Sequence, residues 1–83
     1  MKVRVRYFAS LREALGTAET VDVPAGSTLG ALRDALVARG GRHAEVLARG
    51  RAVRSALDQV MSEDPAPLHE GAEVAFFPPV TGG

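Results

Sequence analysis

Residues 2–7, KVRVRY, alternate without a break, with Val3, Val5 and Tyr7 on one side and Lys2, Arg4 and Arg6 on the other. Successive side chains of an extended strand point to opposite faces, so this alternation specifies a β-strand with one face buried and one wet. A half-buried strand needs strand neighbours beside it and an apolar layer over its inner face. That requirement shapes the reading of everything downstream.

The next segments supply both. In ETVDVP, Val21 and Val23 repeat the alternation and Pro24 ends it. The short spacing makes the two strands sheet neighbours. Between them, Ser10 stands three residues before Glu13, the spacing of a capping box. Leu11, Ala14 and Leu15 form a short apolar face and Gly16 a stop, which predicts one or two helical turns. After the turn AGST, with Ser27 or Thr28 as N-cap, Leu29, Leu32 and Leu36 recur at helical spacing, with Ala31 and Ala35 nearby, until Gly40-Gly41. This is the main helix, and its leucines should lie on the sheet. Residues 42–51, RHAEVLARGR, have no clear period and allow one turn of helix around Val46 and Leu47. AVRSALDQVM reads as a strand that turns back near Asp58-Gln59, SEDPAPLHEG as a loop pinned by Leu68, and AEVAFFP as the last strand. The result is an α+β fold: a mixed sheet with one main helix on one face, without repeats or an internal linker.

Size and composition restrict function. Eighty-three residues make one small domain, and a chain of this size buries only about 60% of its unfolded surface. It can hold a compact core but hardly a deep polar catalytic cavity. Ten basic and ten acidic residues cancel, so the basic excess of a nucleic-acid binder is missing. No stretch approaches the roughly 18 apolar residues of a membrane span, and no signal peptide precedes the first strand. The absence of cysteine excludes disulfides, thiolate nucleophiles and the usual structural zinc sites. The default location is the cytoplasm.

Candidate chemistry narrows quickly. No phosphate-binding loop or dinucleotide fingerprint occurs. His43 and His69 fall in expected loops, where a solvated side chain is the simple reading, and no metal site forms around them. Arg42, Arg49, Arg51 and Arg54 read as a solvated face, and Glu13 as a helix cap rather than an acid catalyst. The side chains therefore offer no self-contained active site. One group is left, the terminal carboxylate of Gly83.

The last residues, FFPPVTGG, suit its presentation. In the final strand Ala72, Val74 and Phe76 share one face, and Glu73, Ala75 and Phe77 the other. Two readings of Phe77 stand side by side: an outward docking anchor, as aromatics often are at interfaces, or a ring packed under a loop on the far face. Pro78 and Pro79 fix φ and hold the chain extended, which lowers the entropy lost when a partner grips it. Val80 and Thr81 are small, and Gly82 and Gly83 carry no side chain, so the carboxylate could slide down a narrow channel.

RYFASLREALG near the start and FFPPVTGG at the end closely resemble the small, sulfur-carrying subunit of molybdopterin synthase, and the resemblance spans essentially the whole chain. One departure is Asp58, where relatives commonly carry asparagine. The resemblance implies a ubiquitin-like β-grasp fold over residues 1–83, with 78–83 an extended functional tail. It implies that an E1-like adenylating enzyme activates Gly83 with ATP, and that a sulfurtransferase supplies persulfide sulfur to displace AMP. The resulting thiocarboxylate then donates sulfur to the pterin precursor in the active site of the large catalytic subunit, with two small and two large subunits in the assembly. Gly83 would bear the sulfur with Gly82 as its thin neighbour, and Phe77, Pro78, Pro79, Val80 and Thr81 would meet the partner. No cofactor would be bound. The sequence itself has no repeat or long apolar stripe that argues for self-association, so the isolated chain is expected to be a monomer. Competing readings are a sulfur carrier for thiamine or sulfur amino acid synthesis, a protein modifier joined to lysines through Gly83, and an interaction module with an inert tail.

Overall fold

The computed structural model describes residues 1–79. Strand β1 (Lys2–Tyr7) is followed by helix α1 (Ser10–Leu15) and strand β2 (Ala18–Asp22). Helices α2 (Leu29–Ala38) and α3 (Gly41–Leu47) come next, then strands β3 (Arg54–Leu57), β4 (Val60–Met61) and β5 (Glu73–Phe77). The five strands form one mixed sheet in the order β2-β1-β5-β3-β4, in which only the central β1–β5 pair is parallel. This is the ubiquitin-like β-grasp.

The alternation in β1 fixes which face is covered. Val3, Val5 and Tyr7 are buried, as are Val21 and Val23 after the first turn and Val74 and Phe76 on β5. Leu29, Leu32 and Leu36 of α2 lie in the same cluster, joined by Leu11 of α1 and Leu47 of α3. Each such side chain contributes about 1.5–3 kcal/mol through burial, so one continuous core carries the fold. The opposite face, with Lys2, Arg4, Arg6, Arg54 and Phe77 in register across the strands, is largely open to solvent.

Local chemistry explains most boundaries. Thr28 caps α2, its hydroxyl accepting from the Ala31 N–H at 3.2 Å. Gly16, at φ 93°, ends α1 by donating to the Arg12 carbonyl. The β3–β4 reversal occurs at Asp58 and Gln59, both at positive φ (49° and 69°), the backbone of a tight hairpin turn. Leu68 is buried and anchors the loop before β5, and Pro67 bridges to Thr28.

Two expectations need correction. The Ser10–Glu13 capping box does not form. Ala9, at φ 53°, occupies the cap position, its carbonyl takes the Glu13 N–H, and Ser10 is already the first helical residue. Residues 41–47 form a full helix rather than a single turn. Gly40 and Gly41, both at positive φ, turn the chain out of α2 and directly into α3.

Candidate functional site

Among the described residues the sheet delivers one feature with no structural task of its own, the exit of β5. This strand lies between β1 and β3, so both of its edges are hydrogen-bonded. Phe76 is 1% exposed and stacks on Tyr7, with ring centroids 6.3 Å apart. Its carbonyl accepts from the Phe8 N–H at 3.1 Å, one residue beyond the end of β1. The chain is therefore held by a strand on each side through Phe76, and Phe77 is paired on the β3 side.

Phe77 turns to the other face, directly opposite Arg54 on β3. Continuing the β1–β5 register puts Phe8 on its other flank. Arg6 lies over the Phe8 ring, 5.1 Å from its centroid, a cation–π arrangement, and its guanidinium is 4.0 Å from the Glu73 carboxylate. Phe77 is half-exposed on a face that no helix covers. Pro78 and Pro79, also half-buried, follow at once, and Pro78 helps line a recess of about 270 Å³ with Ser10, Leu11, Val46, Arg51, Ala52 and Val53. The tail thus leaves from a root built of two aromatic rings, two prolines and the arginines 6, 51 and 54. Val80, Thr81, Gly82 and Gly83, expected to carry the rest of the site, lie outside the described residues.

Several other polar groups are engaged in holding the fold. Glu19 accepts hydrogen bonds from the Tyr7 hydroxyl at 2.8 Å and from Arg39 at 2.5 Å, and it meets His43 Nε2 at 2.8 Å. Partial burial pushes its carboxyl upward, but the bonds from His43, Arg39 and Tyr7 outweigh that and hold it at about 2. The same surroundings, burial first, push the Tyr7 phenol well above its usual range. His43 is therefore not a solvated loop residue. It sits in α3, half-buried, edge-on to the Tyr7 ring. His69 is exposed in its loop as expected, yet its Nε2 meets Asp58 at 2.6 Å.

Arg49 also departs from a simple solvated face. It bonds to Asp34, Asp64 and the Gly30 carbonyl, tying two loops to α2. A Cβ on Gly30 would stand 2.9 Å from Asp64, so the glycine permits this close approach. A larger recess of about 680 Å³ is lined in part by Arg33, Arg49, Ser55 and Asp64, of which Arg49 pairs with Asp64 while Arg33 and Ser55 donate to backbone carbonyls. No group of three or more His, Cys, Asp or Glu among the described residues could hold a metal ion, and no described helix is long and apolar enough to cross a membrane.

Reading the sequence missed Phe8 and the Glu19 cluster. Phe8 has the same parity as Arg4 and Arg6, so the alternation itself signals its outward position. Nothing in the spacing of residues 7, 19, 39 and 43 signals that they meet.

Comparison with known proteins agrees with this architecture. The model of the ThiS family matches residues 5–83. The molybdopterin synthase sulfur carrier subunit of Escherichia coli (strain K12) is 41% identical over 81 residues, covering 98% of this chain and 99% of that protein. Among solved structures, the H. volcanii small archaeal modifier protein 1 superposes with a TM-score of 0.77 at 26% identity, covering 95% of this chain and 98% of that one. A protein–protein complex of subunits 1 and 2 of molybdopterin-converting factor from Helicobacter pylori 26695 contains a chain matching with a TM-score of 0.71 at 26% identity, with both chains fully covered.

Proposed function

The chain belongs to the ThiS family, and from that premise we propose that it is a sulfur carrier of molybdopterin synthesis whose working group is the Gly83 carboxylate. A carboxylate is inert toward sulfur until one oxygen becomes a leaving group. An E1-like adenylating partner would supply that by joining Gly83 to AMP from ATP. The outer sulfur of a persulfide on a sulfurtransferase then attacks the acyl carbon and AMP departs with the electron pair, leaving an acyl disulfide. A thiol reductant attacks the sulfurtransferase sulfur of that S–S bond, forming a mixed disulfide with it and releasing the Gly83 thiocarboxylate. The thin Gly82-Gly83 end carries it into the large subunit, where the sulfur passes to the pterin precursor.

The observation that carries this reading is the contrast at the end of β5. Up to Phe76 the backbone is clamped by strands on both sides, and from Phe77 onward it presents an aromatic ring and two prolines at the sheet end. The site's chemistry is supplied by partners, and the fold supplies aim: the prolines prepay part of the ordering entropy of docking, and Phe77 and Phe8 offer apolar contact. The relative in E. coli carries this role in its name, and the H. pylori complex supports a large-subunit partner.

The test is reconstitution with the activating enzyme, ATP, a persulfide donor and the large subunit. The intact chain should support dithiolene formation, whereas a chain ending at Thr81 or extended by one residue past Gly83 should give less than about 1% of that rate, a rise of at least about 2.7 kcal/mol in effective barrier. Normal turnover by the extended chain would refute the assignment. A second reading, conjugation to protein lysines, is favoured by the likeness to the archaeal modifier. It predicts adducts on other proteins that survive boiling in reductant.

A further inference from the structure

The chain has one lysine, Lys2, against nine arginines, and the fold puts this lysine at the end of the sheet remote from the tail. We propose that arginine in place of lysine around the root of the tail is a specificity device: it leaves no amine of the chain near the end of β5 to attack the activated Gly83 acyl group. The inference rests on the sulfur-carrier reading and concerns which nucleophile the activated tail meets.

An acyl adenylate is open to attack by amines as well as by sulfur. The amine lone pair forms a C–N bond to the acyl carbon, the C–O bond to AMP breaks, AMP leaves with the electron pair, and the surplus amine proton passes to water. An intramolecular amine would have a large advantage through effective molarity. A guanidinium provides the same positive charge but stays protonated with its lone pairs delocalised, and does not compete.

The geometry places such cations where a lysine would do harm. Arg51 lines the same recess as Pro78. Arg54 stands opposite Phe77. Arg6 lies over Phe8 at the same end of the sheet. Lys2, in contrast, opens β1, which runs parallel to β5, so the tail leaves at the other end of the strand pair. The six residue steps from Lys2 to Phe8 cover about 20 Å at roughly 3.3 Å each. The six residues from Pro78 to Gly83 span at most about 20 Å when fully extended, and reversing direction uses about four of them. The Lys2 ammonium is further tied to Asp22 at 3.0 Å, with the amino group of Met1 3.8 Å from the same carboxylate. Both amines thus lie at the end of the sheet opposite the exit of β5 and are ion-paired.

The experiment uses the full chain carrying an alkyl thioester on Gly83, made by thiolysis of a C-terminal fusion, so that no activating partner is needed. Products are read by intact mass, because an internal amide lacks one water relative to the hydrolysed acid. The original chain should give only the acid. Arg51→Lys and Arg54→Lys, each exposed and charge-preserving, should give the internal amide at least about tenfold faster than the original chain, with linkage to the new lysine shown by peptide mapping. Circular dichroism checks that each variant folds, and Arg6→Lys provides a third position should either one fail. The proposal is overturned if the original chain cyclises through Lys2, or if the folded lysine variants hydrolyse just as it does. Because the acyl donor is chemical, these outcomes are independent of whether the chain carries sulfur, which the reconstitution above decides separately.

Discussion

Phe76 and Phe77 are the same side chain one peptide apart, and the sheet sends them to opposite faces. Phe76 points into the core, 1% exposed and stacked on Tyr7. Phe77 points to the open face between Phe8 and Arg54 and remains half-exposed. The period of two in an extended strand is the whole cause. It divides structural and functional duty between adjacent residues, so the fold can hold the strand rigid with one ring while offering the other to a partner. A parallel contrast separates two histidine–carboxylate pairs. Glu19 with His43 is half-buried and shared by four side chains, whereas Asp58 with His69 is an exposed pair on a turn.

The largest expected effect comes from truncating the inward ring. Phe76→Ala should cost about 3–5 kcal/mol of stability, the usual range for emptying a core aromatic site, measured by urea unfolding. Phe77→Ala should cost less than about 1 kcal/mol by the same measurement, yet weaken binding to the large subunit about tenfold or more by calorimetry. Equal losses of stability in the two variants would erase the distinction.

Next comes Glu19. Its carboxyl sits at about 2 in the fold against an ordinary 4.5. A group depressed in this way stabilises the fold above its unfolded value, and the contribution is lost as pH falls from about 4.5 toward 2. Glu19→Gln should lower stability at neutral pH by no more than about 2 kcal/mol, solvent screening of this partly exposed carboxylate reducing the full linkage value, and flatten the acid limb of the pH–stability curve. An acid limb unchanged in the variant would show that other carboxylates control it.

The smallest effect belongs to the exposed pair. The Asp58 hydrogen bond and the contact with the Glu70 carbonyl raise the His69 pKa, while the Glu73 N–H and His69 lower that of Asp58. The His69 contribution is present below its ordinary value of 6.5 and is lost as pH rises through the elevated one. Asp58→Asn should move the His69 titration, followed by NMR, back toward 6.5, with little change in unfolding because both partners are exposed. Asparagine also tolerates the positive φ of that turn. A titration that does not move would assign the shift to the Glu70 carbonyl alone.

The parts of the molecule legible in sequence were those written in a single local period. Alternation revealed β1, β2 and the facing of β5, and leucine spacing revealed α2. Helix α3 escaped because GRHAEVL buries mainly Leu47, too little for a periodic signal. The capping box at Ser10 failed because the spacing was present but the preceding residue, Ala9, had taken the cap position in a left-handed conformation. The Glu19 cluster joins residues up to 36 positions apart, from Tyr7 to His43, and such meetings depend on the fold rather than on local spacing. For the site, the outward parity of Phe77 was readable and the structure agrees with it, while its flank by Phe8 needed the parallel register of β1 and β5.

The most direct measurement of the central claim is the intact mass of the untagged chain purified from the cell that makes it. A second species heavier by the difference between sulfur and oxygen, shifted further by alkylation of that sulfur and mapped to the peptide ending at Gly83, is the predicted result. A single unmodified species that stays unmodified after incubation with ATP, a persulfide donor and the activating enzyme would contradict it.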